Sequence, residues 1–471
     1  MSTALVLLRR DLRLDDHPAL NAACAAHGRV LPVYVHAPAE DAPWQPGAAS
    51  RWWLHHSLIA LDKRLREQDG RLLVAAGETL PVVRELLGRC NAEAVYWSRR
   101  YEPAAIAQDT HLKQALRSDG IRAESRAGNL WCEPWQLSTA DDKAYRVFTP
   151  FWCKLRAEIE LPPPLPTARA RQWLRLPVGL DIDALGLLPK IHWDDGIAQA
   201  WRPGEAGAAE LLEVFADDAL ASYKQIRDFP GRHGTSRLSP HLHFGEITPS
   251  QIMHGLKALI ANQERRHVDL EPYLRQLAWR EFAHHLLYHF PQTPTENFNP
   301  RFDGFQWAPP NEAALTRWQR GRTGIPLVDS GMRELWATGW MHNRVRMVVA
   351  SFLTKNLRQH WHHGARWFWD TLVDADLANN TLGWQWVAGC GVDAAPYFRV
   401  FNPYTQAKKF DPEATYLKRW LPELAELPAQ LLHEPWRDPA ALTACGYPPP
   451  MVDVGASRQH ALAAYQAIKS G

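Results

Sequence analysis

Residues 4–8, ALVLL, form the first of several short apolar runs that decide the fold of the N-terminal half. The further runs are residues 30–35, 72–74 and 94–97, and helix-like stretches such as 50–69 and 103–119 separate or follow them. Apolar runs of this length are typical of strands buried on both faces, and their alternation with helices indicates parallel pairing. The sequence therefore predicts a Rossmann-like α/β domain with a parallel sheet.

The loop that should follow the first strand has no glycine-rich pattern. Residues 9–13 read RRDLR, where a dinucleotide-binding domain of the usual kind has Gly-x-Gly-x-x-Gly. Dinucleotide binding by this sheet is therefore not supported.

The chain length of 471 residues favours more than one domain. We predict an α/β domain over residues 1–130, an interdomain linker over 131–200 that includes the proline-rich stretch 161–166, and a large all-α domain over 201–471. Beyond residue 201 the pattern is almost wholly of helical period. No internal repeat is evident.

Composition excludes several classes of protein. The six cysteines are scattered singly, without the Cys-x-x-Cys spacing of metal sites, so no metal is expected. The N-terminal apolar run reaches Arg9 too early for a signal peptide, and no apolar stretch of about 18 residues follows. We expect a cytoplasmic protein that does not bind membranes and is a monomer.

Tryptophan is unusually frequent, with 22 Trp beside 15 Phe and 12 Tyr. Five of them, Trp361, Trp367, Trp369, Trp384 and Trp386, surround the polar run of residues 374–380. A core built for packing alone favours aliphatic side chains, because an indole is bulky and its N–H needs a partner. Indole rings next to carboxylates and amides predict a redox cofactor.

Two predicted helices each divide into a core face and a polar face. In residues 271–290 the polar face holds Tyr273, Gln276, Trp279 and Arg280, and in residues 340–359 it holds Asn343, Arg346, Met347 and Ala350. Water contact alone is the alternative, but Trp and Met are poor choices for a solvated face. We interpret these faces as the walls of a buried site.

Two further features suggest anion binding. Residues 234–240, GTSRLSP, offer hydroxyls, backbone N–H groups and a cation that suit a phosphate or diphosphate, although such segments are usually only helix caps. Residues 313–369 hold nine Lys or Arg against two Asp or Glu. Charge alone leaves a solvated face and an anion-binding face equally open.

Several motifs together resemble the cryptochrome/photolyase family, most closely bacterial photolyases of cyclobutane pyrimidine dimers (CPDs). They are residues 7–14 (LLRRDLRL), 234–239 (GTSRLS), 279–282 (WREF), 339–344 (GWMHNR) and 393–399 (DAAPYFR). The match runs nearly end to end. Residues 131–135 and 145–152 are similar to the class III subgroup, which is close to plant cryptochromes.

The resemblance implies a non-covalent FAD, active as FADH⁻, in the helical domain. The implied FAD contacts are Tyr223, Thr235, Ser236, Arg237, Leu238, Ser239, Tyr273, Gln276, Arg280, Asn343, Arg346, Asp374, Asp376 and Asn380. Of these, residues 235–239 would take the diphosphate and Asn380 would face flavin N5. An amide can serve N5 in either protonation state, because it both donates and accepts.

The same resemblance implies light-driven repair of CPDs in UV-damaged DNA, by electron transfer from photoexcited FADH⁻. Trp384, Trp361 and Trp307 match the family's electron-transfer tryptophans, while Trp367 and Trp369 are assigned to packing. Trp279 and Trp386 would stack on the extruded lesion, Asn343 and Met347 would line its pocket, and Arg344, Arg399 and Lys409 would hold phosphates.

The subfamily depends on single residues. Photolyases of (6-4) lesions carry His where this chain has Asn343 and Met347, which favours CPD repair. CPD photolyases usually have Glu at the position of Gln276, and Gln cannot supply a proton. DASH-type cryptochromes, which favour single-stranded DNA, carry Gln there, so both weakened repair and a changed preference between single- and double-stranded DNA stay open.

Residues 96–103 lack the Asn-Glu pair by which well-known photolyases hold a folate antenna. Methenyltetrahydrofolate bound differently, a deazaflavin and an empty site remain as alternatives. Two other functions also remain: a cryptochrome-like blue-light sensory flavoprotein with little repair activity, and a helical DNA-binding protein without cofactor.

Overall fold

The protein is described by a computed structural model that covers residues 1–262, 268–394 and 398–470. The chain forms two compact units. The first unit comprises residues 1–145, 149–217 and 236–291, and the second comprises 146–148, 218–235 and 292–471. The domain boundaries predicted at residues 130 and 200 stay a prediction. No helix within the described ranges is both long and apolar enough to cross a membrane.

A parallel sheet lies at the centre of the first unit, as the sequence predicted. Its strands are β1 (Thr3–Leu7), β2 (Arg29–His36), β3 (Leu73–Ala76), β4 (Ala94–Ser98), β5 (Arg122–Arg126) and β6 (Gln172–Trp173). The order is β3-β2-β1-β4-β5, with β6 paired to β2. On β1, Val6 lies opposite Pro32 of β2 and Tyr96 of β4.

Two strands were missed by the sequence pattern. β5 reads RAESR and lies at the sheet edge, where only Ala123 is buried, so it has no apolar run to betray it. β6 is only two residues long and lies in the stretch predicted as a linker. Trp173 of β6 is buried, so part of that stretch packs on the sheet instead of only connecting domains.

Helices of the first unit cover the sheet and continue beyond it. They are α1 (Pro18–Ala26), α2 (Ala48–Arg66), α3 (Thr79–Cys90), α4 (Pro103–Ser118), α5 (Phe148–Glu158), α6 (Asp195–Ala200), α7 (Glu205–Asp218), α9 (Ser239–His243), α10 (Pro249–Asn262) and α11 (Glu271–His289). The core between the sheet and α3 and α4 is aliphatic apart from Trp97 and Cys90.

The loop after β1 joins the sheet to the segment that leads into α10. Arg13 is fully buried and donates to the carbonyl oxygen of Gly245 at 2.8 Å. Asp16 accepts from Thr248 Oγ1 at 2.6 Å. Gly245 has a φ of +66°, and a Cβ there would lie 2.1 Å from Arg10 O, so only glycine fits. The RRDLR sequence therefore has a structural role.

The second unit is helical, with no strand among its described residues. Its helices are α8 (Tyr223–Ile226), α12 (Glu312–Gln319), α13 (Pro326–Thr338), α14 (Asn343–Ser351), α15 (Trp361–Thr371), α16 (Leu377–Ala388), α17 (Pro403–Phe410), α18 (Thr415–Trp420), α19 (Ala429–His433), α20 (Pro439–Ala444) and α21 (Val454–Ser470). This confirms the predicted all-α C-terminal region.

The helix predicted over residues 340–359 is shorter than expected. His342 caps it, because its Nδ1 accepts from the backbone N–H of Arg344 at 3.2 Å, and α14 therefore starts at Asn343. After Ser351 the chain forms a π-helical turn over Phe352–Asn356. The predicted core stripe is correct: Met341, Val345, Val348, Val349 and Phe352 are all buried.

Candidate functional site

Of the segment predicted to bind phosphate, residues 236–240 belong to the first unit and contain a tight turn. Arg237 has a left-handed φ of +54°, and Leu238 after it is right-handed helical. Alternation of these two conformations points successive backbone N–H groups into one concavity that suits an anion. Ser236 Oγ accepts from Tyr273 Oη at 2.9 Å, which ties this turn to α11.

Arg280 on α11 is fixed in place before any ligand binds. Its Nη1 donates to Asn129 O at 2.9 Å and contacts Glu281 Oε1 at 3.1 Å. Glu281 is 2% exposed, and burial raises its pKa above the usual range. Its other oxygen accepts from the backbone N–H of Trp131 at 2.7 Å. Sequence reasoning quoted Glu281 only as part of a motif and missed this positioning role.

Gln276 and Trp279 lie on the same polar face of α11 as Arg280. Both are half-buried. The Gln276 amide nitrogen lies 3.5 Å from Pro272 O, a long contact within the helix, so little enthalpy opposes its turning toward a ligand. Trp279 packs edge-on against Phe282, with ring centroids 5.9 Å apart. The predicted core residues Leu277, Ala278 and Phe282 are buried, but Tyr273 of the predicted polar face is buried as well, at 4% exposed.

In the second unit, α14 supplies an arginine that is paired with a predicted flavin contact. Arg346 Nη2 lies 2.9 and 3.1 Å from the two oxygens of Asp374, and Arg346 Nε donates to Met341 O at 2.7 Å. The Asp374 side chain is 5% exposed. A guanidinium held at both ends is a rigid donor for carbonyl oxygens and ring nitrogens of a bound group.

Helix α16 carries two more predicted FAD contacts. Asp376 is its N-cap and accepts from Asn379 N at 2.9 Å. Asn380 Nδ2 donates to Ala365 O of α15 at 3.0 Å, which holds its amide in one orientation. One turn later, a Cβ added at Gly383 would meet no described heavy atom within 4 Å. Gly383 is exposed, so this part of α16 is open to solvent, whereas Asn380 is half-buried.

Trp384 is held against α15 by a glycine. A Cβ at Gly364 would lie 2.0 Å from Trp384 Cη2, so the ring packs directly on the helix backbone. Trp384 is 2% exposed and also packs edge-on against Phe368, with centroids 4.9 Å apart. Its Nε1 is buried and has no hydrogen-bond acceptor among the described residues.

Trp361 begins α15, one helical turn before Gly364. It is 1% exposed and donates from Nε1 to Asn297 Oδ1 at 3.0 Å. Trp307 is half-buried and packs on His360, with ring centroids 4.9 Å apart. Gly364 thus brings Trp384 onto α15, and His360 lies against both Trp361 and Trp307. Sequence reasoning missed both Gly364 and His360.

Two family models match this sequence. One, described as the FAD binding domain of DNA photolyase, matches residues 273–467, and the other, described as DNA photolyase, matches residues 4–169. A deoxyribodipyrimidine photo-lyase from Agrobacterium fabrum is 44% identical, and the alignment covers 99% of this chain and 98% of that protein. The chain belongs to the photolyase/cryptochrome family. The predicted resemblance is confirmed, and the first model supports FAD as cofactor.

Other relatives include both branches of the photolyase/cryptochrome family. Cryptochrome-2 from Arabidopsis thaliana is 36% identical over 97% of this chain and 77% of its own length. Among solved structures, a bacterial class III photolyase from Agrobacterium tumefaciens has a TM-score of 0.94 and 43% identity, covering 100% of this chain and 98% of that chain. An archaeal photolyase from Sulfolobus tokodaii, described with two FAD molecules, has a TM-score of 0.85 and 30% identity, covering 99% and 100%.

Residues predicted to contact a photolyase lesion form two small groups in the second unit. Asn343 Nδ2 lies 4.0 Å from Met347 Sδ on α14. Trp386 donates from Nε1 to Asp393 O at 3.1 Å, and the guanidinium of exposed Arg399 lies 5.7 Å from its ring centroid. Within the photolyase motif 393–399, residues 395–397 lie outside the described part of the chain.

Two predicted phosphate contacts share an aromatic platform. Arg344 and Lys409 lie 4.5 and 5.1 Å from the Phe410 ring centroid, and Lys409 is exposed. Arg344 Nη2 also pairs with Asp228 at 2.9 Å. This photolyase-family chain therefore holds one of its predicted DNA contacts in an internal ion pair.

The basic stretch 313–369 does not present all of its cations to solvent. Lys355 is 1% exposed and donates to Ala388 O. Arg333 pairs with Glu423 at 2.7 Å, and Arg346 pairs with Asp374. Excess charge along a sequence does not show which cations face solvent, because internal carboxylates from other helices pair with them.

The remaining tryptophans of the opening cluster make packing contacts. Trp369 is 7% exposed, and Trp367 stacks on Trp336 with centroids 6.1 Å apart. These contacts agree with their assignment to packing.

Proposed function

We propose that this protein is a deoxyribodipyrimidine photo-lyase that repairs CPDs in UV-damaged DNA in the light. One observation carries the proposal: α14 presents Arg346, paired with Asp374, and Asn343, next to Met347, on the same helix. The first pair suits a flavin and the second suits an uncharged, partly apolar lesion. Support also comes from the end-to-end identity of 44% with the Agrobacterium photo-lyase.

The residues proposed to hold FAD are Tyr223, Thr235, Ser236, Arg237, Leu238, Ser239, Tyr273, Gln276, Arg280, Asn343, Arg346, Asp374, Asp376 and Asn380. When bound, reduced FAD supplies, on absorption of light, the electron that splits the cyclobutane ring. The electron returns to the flavin afterwards. Residues 235–239 take the diphosphate, with the turn at Arg237 orienting backbone N–H groups, and Arg346 and Asn380 offer oriented donors to the flavin ring. No protein nucleophile is needed.

Trp384, Trp361 and Trp307 are proposed to pass electrons from the protein surface toward FAD, which keeps the cofactor reduced. Support comes from their positions: Trp384 packs on the helix that Trp361 begins, and Trp307 packs on His360, the N-cap of that same helix. Two of the rings are buried, which protects an oxidised indole from water until the next transfer.

The lesion must leave the duplex to reach its pocket. The free-energy cost of unpairing is lower for a damaged base than for an intact one. We assign Trp279 and Trp386 to stacking on it, Asn343 and Met347 to its pocket, and Arg344, Arg399 and Lys409 to phosphates. Gln276 donates hydrogen bonds to the pyrimidines but cannot supply a proton, so repair is slower than with a glutamic acid there.

The test is repair by the reduced holoprotein of single- and double-stranded oligonucleotides that contain a CPD, under blue light. Recovery of pyrimidine absorbance is the expected result. No recovery on either substrate, with FAD bound and reduced, would overturn the proposal and favour the sensory function suggested by the 36% identity with cryptochrome-2.

A further inference from the structure

His360 lies between two of the proposed electron carriers. Its ring centroid is 5.7 Å from that of Trp361, nearly parallel at 28°, and 4.9 Å from that of Trp307, at 60°. His360 thus contacts both indole rings, stacked on Trp361 and roughly edge-on to Trp307. Trp361 is buried, whereas His360 and Trp307 are half-buried.

Hydrogen bonds of the two residues before His360 hold the segment that follows Trp307 beside it. The backbone N–H of Ala308, next to Trp307, donates to Arg358 O at 2.8 Å. Gln359, next to His360, donates from Nε2 to Pro309 O at 3.1 Å and accepts from Asn311 N at 3.2 Å. Trp307 is therefore fixed against His360 by backbone and amide contacts, and its position does not depend on ring packing alone.

A third contact fixes the state of the His360 ring. Its Nδ1 accepts from the backbone N–H of His362 at 3.2 Å and so caps α15, which places Trp361 at the first helical position. An acceptor at Nδ1 requires the neutral ring with its proton on Nε2. Burial, with His363 nearby, also lowers the pKa of His360 below its usual range.

We propose that His360 is a positioning residue that bridges Trp361 and Trp307 and so carries the last step of electron supply. The proposal rests on the electron-transfer role proposed above for these tryptophans. In this step oxidised Trp361 gains one electron and Trp307 loses one, while His360 is neither oxidised nor reduced. Oxidised Trp307, half-exposed, then receives an electron from an external thiol reductant.

Two substitutions test the role of the His360 ring separately from its role as the cap of α15. His360→Asn keeps a good capping side chain and removes the ring, whereas His360→Phe keeps an aromatic ring and removes the cap. His363→Asn, in the same turn, is the matched control. The measurement is the rate at which blue light and a thiol reduce the bound oxidised flavin, together with transient absorption of indole radicals, flavin content and Tm.

We expect His360→Asn to slow photoreduction severalfold, with the indole radical accumulating at Trp361, and His360→Phe to keep most of the rate. The control should match wild type. If the flavin of His360→Asn is photoreduced as fast as that of His360→Phe, or faster, the proposed bridging role of His360 is wrong. Trp384→Phe tests the underlying assignment separately: wild-type photoreduction in that variant would overturn the tryptophan chain itself, whatever the His360 variants do.

Discussion

At the residue scale, Gln276 is where the chain departs from its nearest functional pattern. The Gln276 amide makes only a long contact within α11. A carboxylic acid at this position could hydrogen-bond the anionic pyrimidines and also give up its proton to them. An amide can only donate N–H hydrogen bonds. We therefore expect a change at residue 276 to alter repair of the lesion more than binding of FAD.

We expect Gln276→Glu to raise the yield of repair per absorbed photon. The measurement is the quantum yield of CPD repair by fully reduced protein, with flavin content as a check on folding. Gln276→Ala, which removes both donors, should lower the yield. An unchanged yield in the Glu variant would show that residue 276 does not limit repair.

The glycine at position 364 leaves the space that the Trp384 ring occupies. A Cβ there would lie 2.0 Å from Trp384 Cη2, and Trp384 is 2% exposed, so it cannot move away without cost. We expect Gly364→Ala to destabilise the fold by about 1–3 kcal/mol, as overpacking of a core does, and to slow photoreduction by displacing the indole. Chemical denaturation and flavin photoreduction measure the two effects.

The control for that change is Gly88→Ala in α3. Gly88 is also inside a helix, but a Cβ there meets nothing within 4 Å. It should stabilise the protein by about 0.5–1 kcal/mol, because alanine loses less entropy than glycine in a helix. A neutral result for Gly364→Ala would mean that Trp384 does not depend on close contact with α15.

At the scale of the element, the histidine cap of α14 makes the free energy of unfolding depend on pH. His342 is 3% exposed and caps α14 through Nδ1. Burial lowers the pKa of His342 to about 4, from 6.5 in the unfolded chain. Between these values the unfolded state binds more protons, so the free energy of unfolding falls as pH falls from about 6.5 to about 4.

We expect His342→Asn to flatten this part of the stability profile, because Asn caps a helix without titrating. Urea unfolding at a series of pH values from about 7 to about 4 measures it. His285, also buried with its pKa lowered to about 4, should retain its own contribution in the variant. A profile identical to wild type would show that His342 does not titrate in this range.

At the scale of the whole molecule, the net charge of only +2 gives little long-range attraction for DNA, so individual exposed cations decide binding. Arg344 is partly neutralised by Asp228 at 2.9 Å, and the two side chains are 19% and 34% exposed. A pair this accessible is worth about 1 kcal/mol or less, so a phosphate can displace the carboxylate.

We expect Asp228→Asn to tighten binding of undamaged DNA more than binding of CPD-containing DNA, and so to reduce discrimination. The slope of log Kd against log salt concentration should become steeper by the amount expected for about one additional phosphate contact. In an Arg344→Gln background the same substitution should change nothing, which makes a double-mutant cycle the control. An effect of equal size in both backgrounds would show that Asp228 acts on DNA directly.

Much of the architecture followed from local pattern. The β1, β2, β3 and β4 strands are apolar runs of the right length, and the core faces of α11 and α14 follow helical period. β5 and β6 escaped because an exposed edge and a two-residue strand carry no such signal. The start of α14 at Asn343 escaped because His342 is not among the usual capping residues.

The sequence by itself determined the parallel sheet, the helical region and the family, and it supplied the residues that we propose contact FAD and DNA. Only the tertiary structure decided how those residues are held: Arg346 by Asp374, Arg344 by Asp228, Trp384 by Gly364, and Trp307 by His360. The physical reason is that period and composition report burial, which is local. Ion pairs and ring contacts join residues distant in sequence, and only packing brings them together.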